Sequence, residues 1–235
     1  LGERYAGHPR IKLVHVTNSS HNGFEMQLVG DTAAWQAAGY SVEAYASSWE
    51  TAIDAFDAAF PATPLDVEVH PVLGSDAVAE RVAAYGHDVV GDRFGVFAAW
   101  WTKRNAEEIY PGMNTLLLDA AEESYGTVQV ARSETVHGAE SFGEGGLAGT
   151  LELAADSGVR YAEVWNSDLL NPDLDGAIMA YAEAIAGGCT AADVAEPFGV
   201  LDLSDVGAFV GAFVAGDLLA DLTGEGVLDL GDLSA

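Results

Sequence analysis

The chain has 235 residues, 49% of them hydrophobic and 20% charged. That apolar fraction is ample for a packed core and excludes wholesale disorder. With 37 Asp and Glu against 9 Lys and Arg, the formal net charge is −28, which repels phosphate backbones and anionic lipid and argues against nucleic-acid or membrane-surface partners. No run of about 18 apolar residues occurs, so no membrane span is expected. Such acidity suits either a protein kept soluble in high salt or a calcium-rich extracellular one.

Strand-like and helix-like segments alternate through the first three quarters of the chain. Ile11 to Thr17 (IKLVHVT) reads as a strand, and helical stretches follow over Asp31 to Ala38 and Trp49 to Phe60. Leu65 to His70 (LDVEVH) is a second strand, Ser75 to Tyr85 a helix, and Arg93 to Trp101 (RFGVFAAWW) a third strand. Asn114 to Glu123 has helical apolar spacing, Thr127 to Ser133 (TVQVARS) is a fourth strand, and Gly146 to Asp156 the next helix. Val159 to Trp165 (VRYAEVW) is the fifth strand, followed by a helix over Asp173 to Ile185. Strands spaced by helices predict an α/β fold of parallel βαβ units. Five such units fit part of a (β/α)8 barrel or a doubly wound sheet. No glycine-rich GxGxxG follows any strand, which favours the barrel; about three further units would then lie upstream.

Composition changes after residue 187. The stretch 188–235 contains no Lys, Arg or His, and FGVLDLSDV returns as EGVLDLGDL, a duplicated unit that marks a separate module. The second copy places Asp221, Thr223, Glu225, Asp229 and Asp232 at loop positions 1, 3, 5, 9 and 12, with Gly226 at position 6. Oxygen donors at that spacing, with the Val227 carbonyl at position 7, are what an EF-hand-type Ca²⁺ loop requires. The first copy, Asp193 to Asp205, is one residue too long and has Ala195 and Pro197 where oxygens belong, though Asp202 and Asp205 keep the late spacing. Calcium binding and a metal-free turn are equally compatible with it.

FGVLDLSDVGAFVGAF and ADLTGEGVLDLGDL, after Gly188-Cys189, resemble a bacterial dockerin of the GC type over residues 188 to 235. The resemblance implies a small α-helical calcium-loop module, a secreted or cell-surface protein, and a cohesin-like scaffold or surface partner. The second copy lacks the exit helix and second cysteine usual in the family, and is expected to be truncated.

Alternation of side chains along a barrel strand turns one set to the helices and the other inward. With the valines facing the helices, His15 and Thr17, Glu68 and His70, Gln129 and Ser133, and Tyr161, Glu163 and Trp165 face inward. The third strand is apolar on both faces and cannot be oriented this way. Polar residues at several strand C-termini converge on one mouth, where barrel enzymes place their sites. Glu68 and Glu163 are the inward carboxylates, and glycoside hydrolysis needs two: one protonates the leaving oxygen while the other attacks or activates water. His15 and His70 lie nearby, and Trp100, Trp101 and Trp165 are candidates to stack on sugar faces. A zinc site of His15, His70 and Glu68 would lack HxH or HExxH spacing.

LGERYAGHPRIKLVHV and GVRYAEVWNSDL resemble the fourth and eighth strand regions of TIM-barrel glycoside hydrolases, so residues 1 to about 187 look like the C-terminal half of such a barrel. The Asn-Glu pair that follows the fourth strand in the large retaining clan is replaced by TNSSHNG, and the usual acid/base does not carry over. Glu134 matches the position of the seventh-strand nucleophile. The resemblance implies a secreted O-glycosyl hydrolase acting on a poly- or oligosaccharide; the alternative is a non-catalytic carbohydrate-binding or surface-assembly protein on the same scaffold.

Overall fold

The computed structural model describes residues 2–6, 8, 11–18, 25–186, 203–217 and 220. Asp221, Thr223, Glu225, Val227, Asp229 and Asp232 lie outside the described residues, as do Cys189 and most of the first repeat. The chain divides into two compact units, Leu1–Met179 and Ala180–Ala235. The division falls within a helix that ends just before the composition boundary at residue 187.

In the first unit, helix α1 (Gly2–Tyr5) precedes β1 (Val14–Val16), then come α2 (Thr32–Ala37), α3 (Val42–Ala59), β2 (Leu65–Glu68), α4 (Ala77–Val90) and β3 (Phe94–Trp101). A π-helical turn leads into α5 (Pro111–Glu123), followed by β4 (Gly126–Val130), α6 (Glu134–His137), α7 (Gly146–Asp156), β5 (Tyr161–Glu163), α8 (Asn166–Leu169) and α9 (Asp175–Ala186). Each strand and each longer helix expected from periodicity is present. The largest boundary difference is α3, which starts seven residues before the expected Trp49. Its first two turns are alanine-rich and polar and carry no apolar period. The Ser41 hydroxyl starts the helix there by accepting from Ala44 N at 3.1 Å.

All five strands are parallel, in the order β1-β2-β3-β4-β5. A doubly wound sheet reverses its strand order at a switch point; this one never does. Crossovers that always step the same way, with the usual right hand, stack their helices on one face. Registers Val14↔Leu65, Val67↔Val96 and Ala98↔Val128 line that face with small apolar side chains. The α4 stripe of Val78, Ala79, Val82, Ala83 and Gly86 is buried. At Gly86 a Cβ would stand 2.1 Å from the Phe94 ring, so the helix approaches β3 only because that side chain is absent.

The register also orients β3. Gly95 and Phe97 share the face of Asp66 and Glu68, while Val96 and Ala98 turn toward the helices. Beyond Ala98 the pairing shifts by one residue, so that Trp101 stands opposite Val130. This bulge reverses the alternation. Trp101 then donates from Nε1 to Thr150 O of α7 (3.1 Å), and Trp100 to Val69 O (2.7 Å).

In the second unit, helix α10 (Leu203–Ala215) begins within the first repeat and presents Val206, Val210 and Val214 as exposed residues four apart. No helix among the described residues is long and apolar enough to cross a membrane.

Candidate active site at the polar face of the sheet

The face away from the valines carries His15 on β1, Asp66 and Glu68 on β2, Thr127 and Gln129 on β4, and Tyr161 and Glu163 on β5. Two groups of contacts form on it.

Around Asp66, the carboxylate is fully buried, accepts from Thr127 Oγ1 at 2.5 Å, and lies 2.5 Å from His15 Nδ1. The bond to Thr127 crosses β3 beside Gly95. There a Cβ would stand 2.3 Å from the Tyr125 ring, whose hydroxyl donates to Leu65 O beneath the same gap. The missing side chain at position 95 therefore lets β4 reach β2 over β3. His15 sets its ring 4.6 Å from that of Phe97, tilted by 34°, and turns Nε2 to within 3.7 Å of Glu163 Oε1. Gln129 Nε2 donates to Glu163 Oε2 at 2.8 Å, and the Tyr161 hydroxyl to Oε1 at 3.1 Å.

Burial alone would push the His15 imidazole down, but the hydrogen bond and charge of Asp66, followed by Glu163, hold it above its ordinary value. Burial drives Asp66 upward, and its bonds to His15 and Thr127 offset part of that rise. The hydrogen-bonded contact with the His15 ring offsets part of the cost of burying the Asp66 carboxyl.

Around Glu68, only 1% of the residue is exposed. Oε2 accepts from Met26 N at 2.9 Å, which ties down the segment after β1, and Oε1 has no hydrogen-bond partner among the described residues. Burial raises this carboxyl to about 8, against the Met26 bond and with the charge of Glu25 adding to the rise. It is therefore largely a neutral acid at pH 7. His70, also buried, sits with Nδ1 3.1 Å from Pro71 O and its ring 4.9 Å from Tyr110, and burial lowers it.

A cleft of about 370 Å³ opens at the C-terminal edge of β4 and β5, lined by Gln129, Glu163, Val164, Trp165, Asn166 and Ser167. Trp165 donates from Nε1 to Val130 O at 2.7 Å and remains 48% exposed. Glu163, with its side chain 33% exposed, meets the same space.

The expected site residues thus separate. Glu163 and Trp165 line this cleft together, and His15 approaches Glu163 from β1. Glu68 is coupled instead to Glu25, and is closed from solvent. Trp100 and Trp101 are buried in the core with their indole N–H groups spent on backbone carbonyls, so neither offers a ring face to a sugar. Glu134 points to the helix layer: Oε2 accepts from Leu147 N at 2.5 Å at the start of α7. Asp168 holds the start of α6, accepting from Ser133 Oγ (2.8 Å), Glu134 N (3.0 Å) and Thr135 N (2.9 Å). Burial pushes Asp168 up, but those bonds, Thr135 foremost, outweigh it and hold the carboxyl low. Among the described residues, no group of three or more His, Cys, Asp or Glu could hold a metal ion, and His15, His70 and Glu68 do not form one.

Asp66 is absent from the candidates drawn from sequence. Its signal was available, since it lies two residues before Glu68 and so shares its face. Leu65 and Asp66 at the start of the strand attract notice only once Thr127 and His15 are seen to converge there.

No family model, curated protein or solved structure matches the chain.

Proposed function

We propose that the chain is a carbohydrate-active protein, an O-glycosyl hydrolase whose first unit is a segment of a (β/α)8 barrel and whose glycan site is the cleft at the ends of β4 and β5. The observation that carries this reading is the Glu163 carboxyl opening into that cleft beside the half-exposed Trp165 ring. An indole offers an apolar face to the C–H side of a sugar ring. A carboxylate that accepts from Gln129 and Tyr161 is placed to accept a water proton or to face positive charge developing at an anomeric carbon. The unreversed strand order supports the barrel, as does the collection of polar side chains at strand C-termini. The repeat after residue 188, with Asp221, Thr223, Glu225, Val227, Asp229 and Asp232 as Ca²⁺ ligands, would anchor an extracellular protein to a scaffold or surface.

One observation favours the alternative, a non-catalytic glycan-binding protein. Glu68, the second carboxyl of the expected pair, is enclosed, leaving Glu163 without a solvent-facing acid partner from β2. Soluble oligosaccharides incubated with the wild-type chain and with Glu163→Gln distinguish the readings. Sugar release lost in the variant, with glycan binding retained, supports the hydrolase. Binding that depends on Trp165, without release by either protein, supports the alternative. Release unchanged in Glu163→Gln removes that residue from the chemistry.

A further inference from the structure

The two ring nitrogens of His15 face two carboxyl groups of very different exposure. Asp66, on β2, is fully buried and touches Nδ1; Glu163, on β5, is one-third exposed and lies across from Nε2. The ring lies 4.6 Å from that of Phe97 of β3, and the Tyr161 hydroxyl donates to the same Glu163 oxygen that faces Nε2. From β4, Thr127 donates to the second oxygen of Asp66, so both Asp66 oxygens are engaged, one by Thr127 and the other by His15.

We propose that Asp66 is a positioning residue for the cleft: it holds the His15 ring with Nδ1–H turned inward, so that Nε2–H faces Glu163 and fixes that carboxylate as an acceptor. The inference rests on the reading of Glu163 as the working carboxyl of the cleft. The physical reason lies in the burial of Asp66. A carboxylate in that place needs a charge partner and hydrogen bonds to every oxygen. Among the described residues, the group of that sign in contact with it is the His15 ring. Once Nδ1–H is committed, the ring cannot turn without leaving Asp66 unsatisfied. Its other nitrogen is thereby aimed at Glu163 on β5. The arrangement is an inner carboxylate that orients an imidazole, with the imidazole in turn orienting a second group exposed to ligand.

The test is ¹H–¹⁵N NMR of the histidine side chains in the full chain, which has six histidines, with His15 assigned by its disappearance in His15→Gln. The wild type is expected to show a low-field Nδ1 proton that resists exchange, and a His15 midpoint above that of an ordinary imidazole. In Asp66→Asn the low-field proton should vanish and the midpoint should fall by about one pH unit or more. In Glu163→Gln the low-field proton should persist, while the midpoint falls by a smaller amount. A His15 that titrates identically in wild type and Asp66→Asn overturns the proposal. So does a wild-type ring lacking Nδ1–H, a result that needs no variant to fold. Glu163→Gln changes a partly exposed residue and checks the second arm independently. The ring's titration is read without substrate, so an Asp66→Asn titration unchanged from wild type, with sugar release still abolished in Glu163→Gln, removes only the role of Asp66. The expected His15 response in a protein without sugar release removes the hydrolase reading instead.

Discussion

His15 Nε2 lies 3.7 Å from Glu163 Oε1, although the two residues sit on β1 and β5, the opposite edges of the sheet. Four strand spacings in a flat sheet span about 19 Å, more than two side chains bridge. The sheet must therefore curl toward its polar face. Gly95 permits tight contacts there: Tyr125 and Thr127 of the β4 region pass over it to reach Leu65 and Asp66 on β2.

Gly95→Ala should therefore be costly although both residues are small. Its Cβ would stand 2.3 Å from Tyr125 Cε2, and relieving that clash means giving up the hydroxyl's bond to Leu65 O. A loss of about 1–3 kcal/mol is expected, in the range of overpacked cores, read from urea denaturation midpoints. A variant as stable as wild type would show that Tyr125 has room to move.

Trp165 and Trp100 should respond in opposite ways to truncation. Trp100→Ala empties a fully packed site and should cost about 3–5 kcal/mol. Trp165→Ala removes a half-exposed ring and one bond to Val130 O, so stability should fall far less while glycan affinity drops. Thermal unfolding with glycan titration separates the two. Equal stability losses would place Trp165 in the core rather than in a ligand site.

Glu68 should make the protein less stable as pH rises. Its folded value, about 8, lies above the ordinary 4.5. The contribution of the buried neutral acid is therefore complete below about 4.5 and is lost as pH climbs through about 8. At 1.36 kcal/mol per pH unit the full loss is about 5 kcal/mol. Glu68→Gln should flatten this slope, although its amide brings an N–H₂ into a place where Oε1 has no partner among the described residues. Denaturation midpoints at pH 5 and pH 8 provide the measurement; an equal slope in both proteins would assign the pH dependence elsewhere.

Asp168 should act in the opposite direction. Its folded value is depressed, so its contribution is present above the unfolded carboxylate value and disappears as pH falls through the folded one. Asp168→Asn keeps the shape but weakens the bonds from Ser133, Glu134 N and Thr135 N, at a cost of about 1–3 kcal/mol near pH 7. The difference from wild type should shrink in acid. A gap of constant size down to pH 2 would assign the cost to packing rather than to charge.

Calcium should bind the C-terminal repeat, because the second copy gathers four carboxylates and a hydroxyl at loop spacing. Titration calorimetry of the full chain should give a saturable event that Asp221→Ala with Asp229→Ala removes. Heat unchanged in that double variant would overturn the assignment of a calcium loop to the second copy.

What the sequence determined by itself is the order and type of the strands and longer helices and the polar face of the sheet. Valines at alternate positions of β2 and β4 place Glu68 and Gln129 on one side, and the register confirms that side for both. Local alternation suffices because a parallel strand under a helix layer must turn its apolar set toward it. It failed at β3, where both faces are apolar and a bulge between Ala98 and Trp101 reverses the count. Only the tertiary structure decided which polar residues meet. Glu68 and Glu163 look equivalent along the chain, yet one is sealed beneath the segment after β1 and the other opens to a cleft. Curvature of the sheet, set by contacts between residues as distant as Asp66 and Thr127, brings His15 to Glu163. Such long-range contacts leave no periodic mark in the sequence.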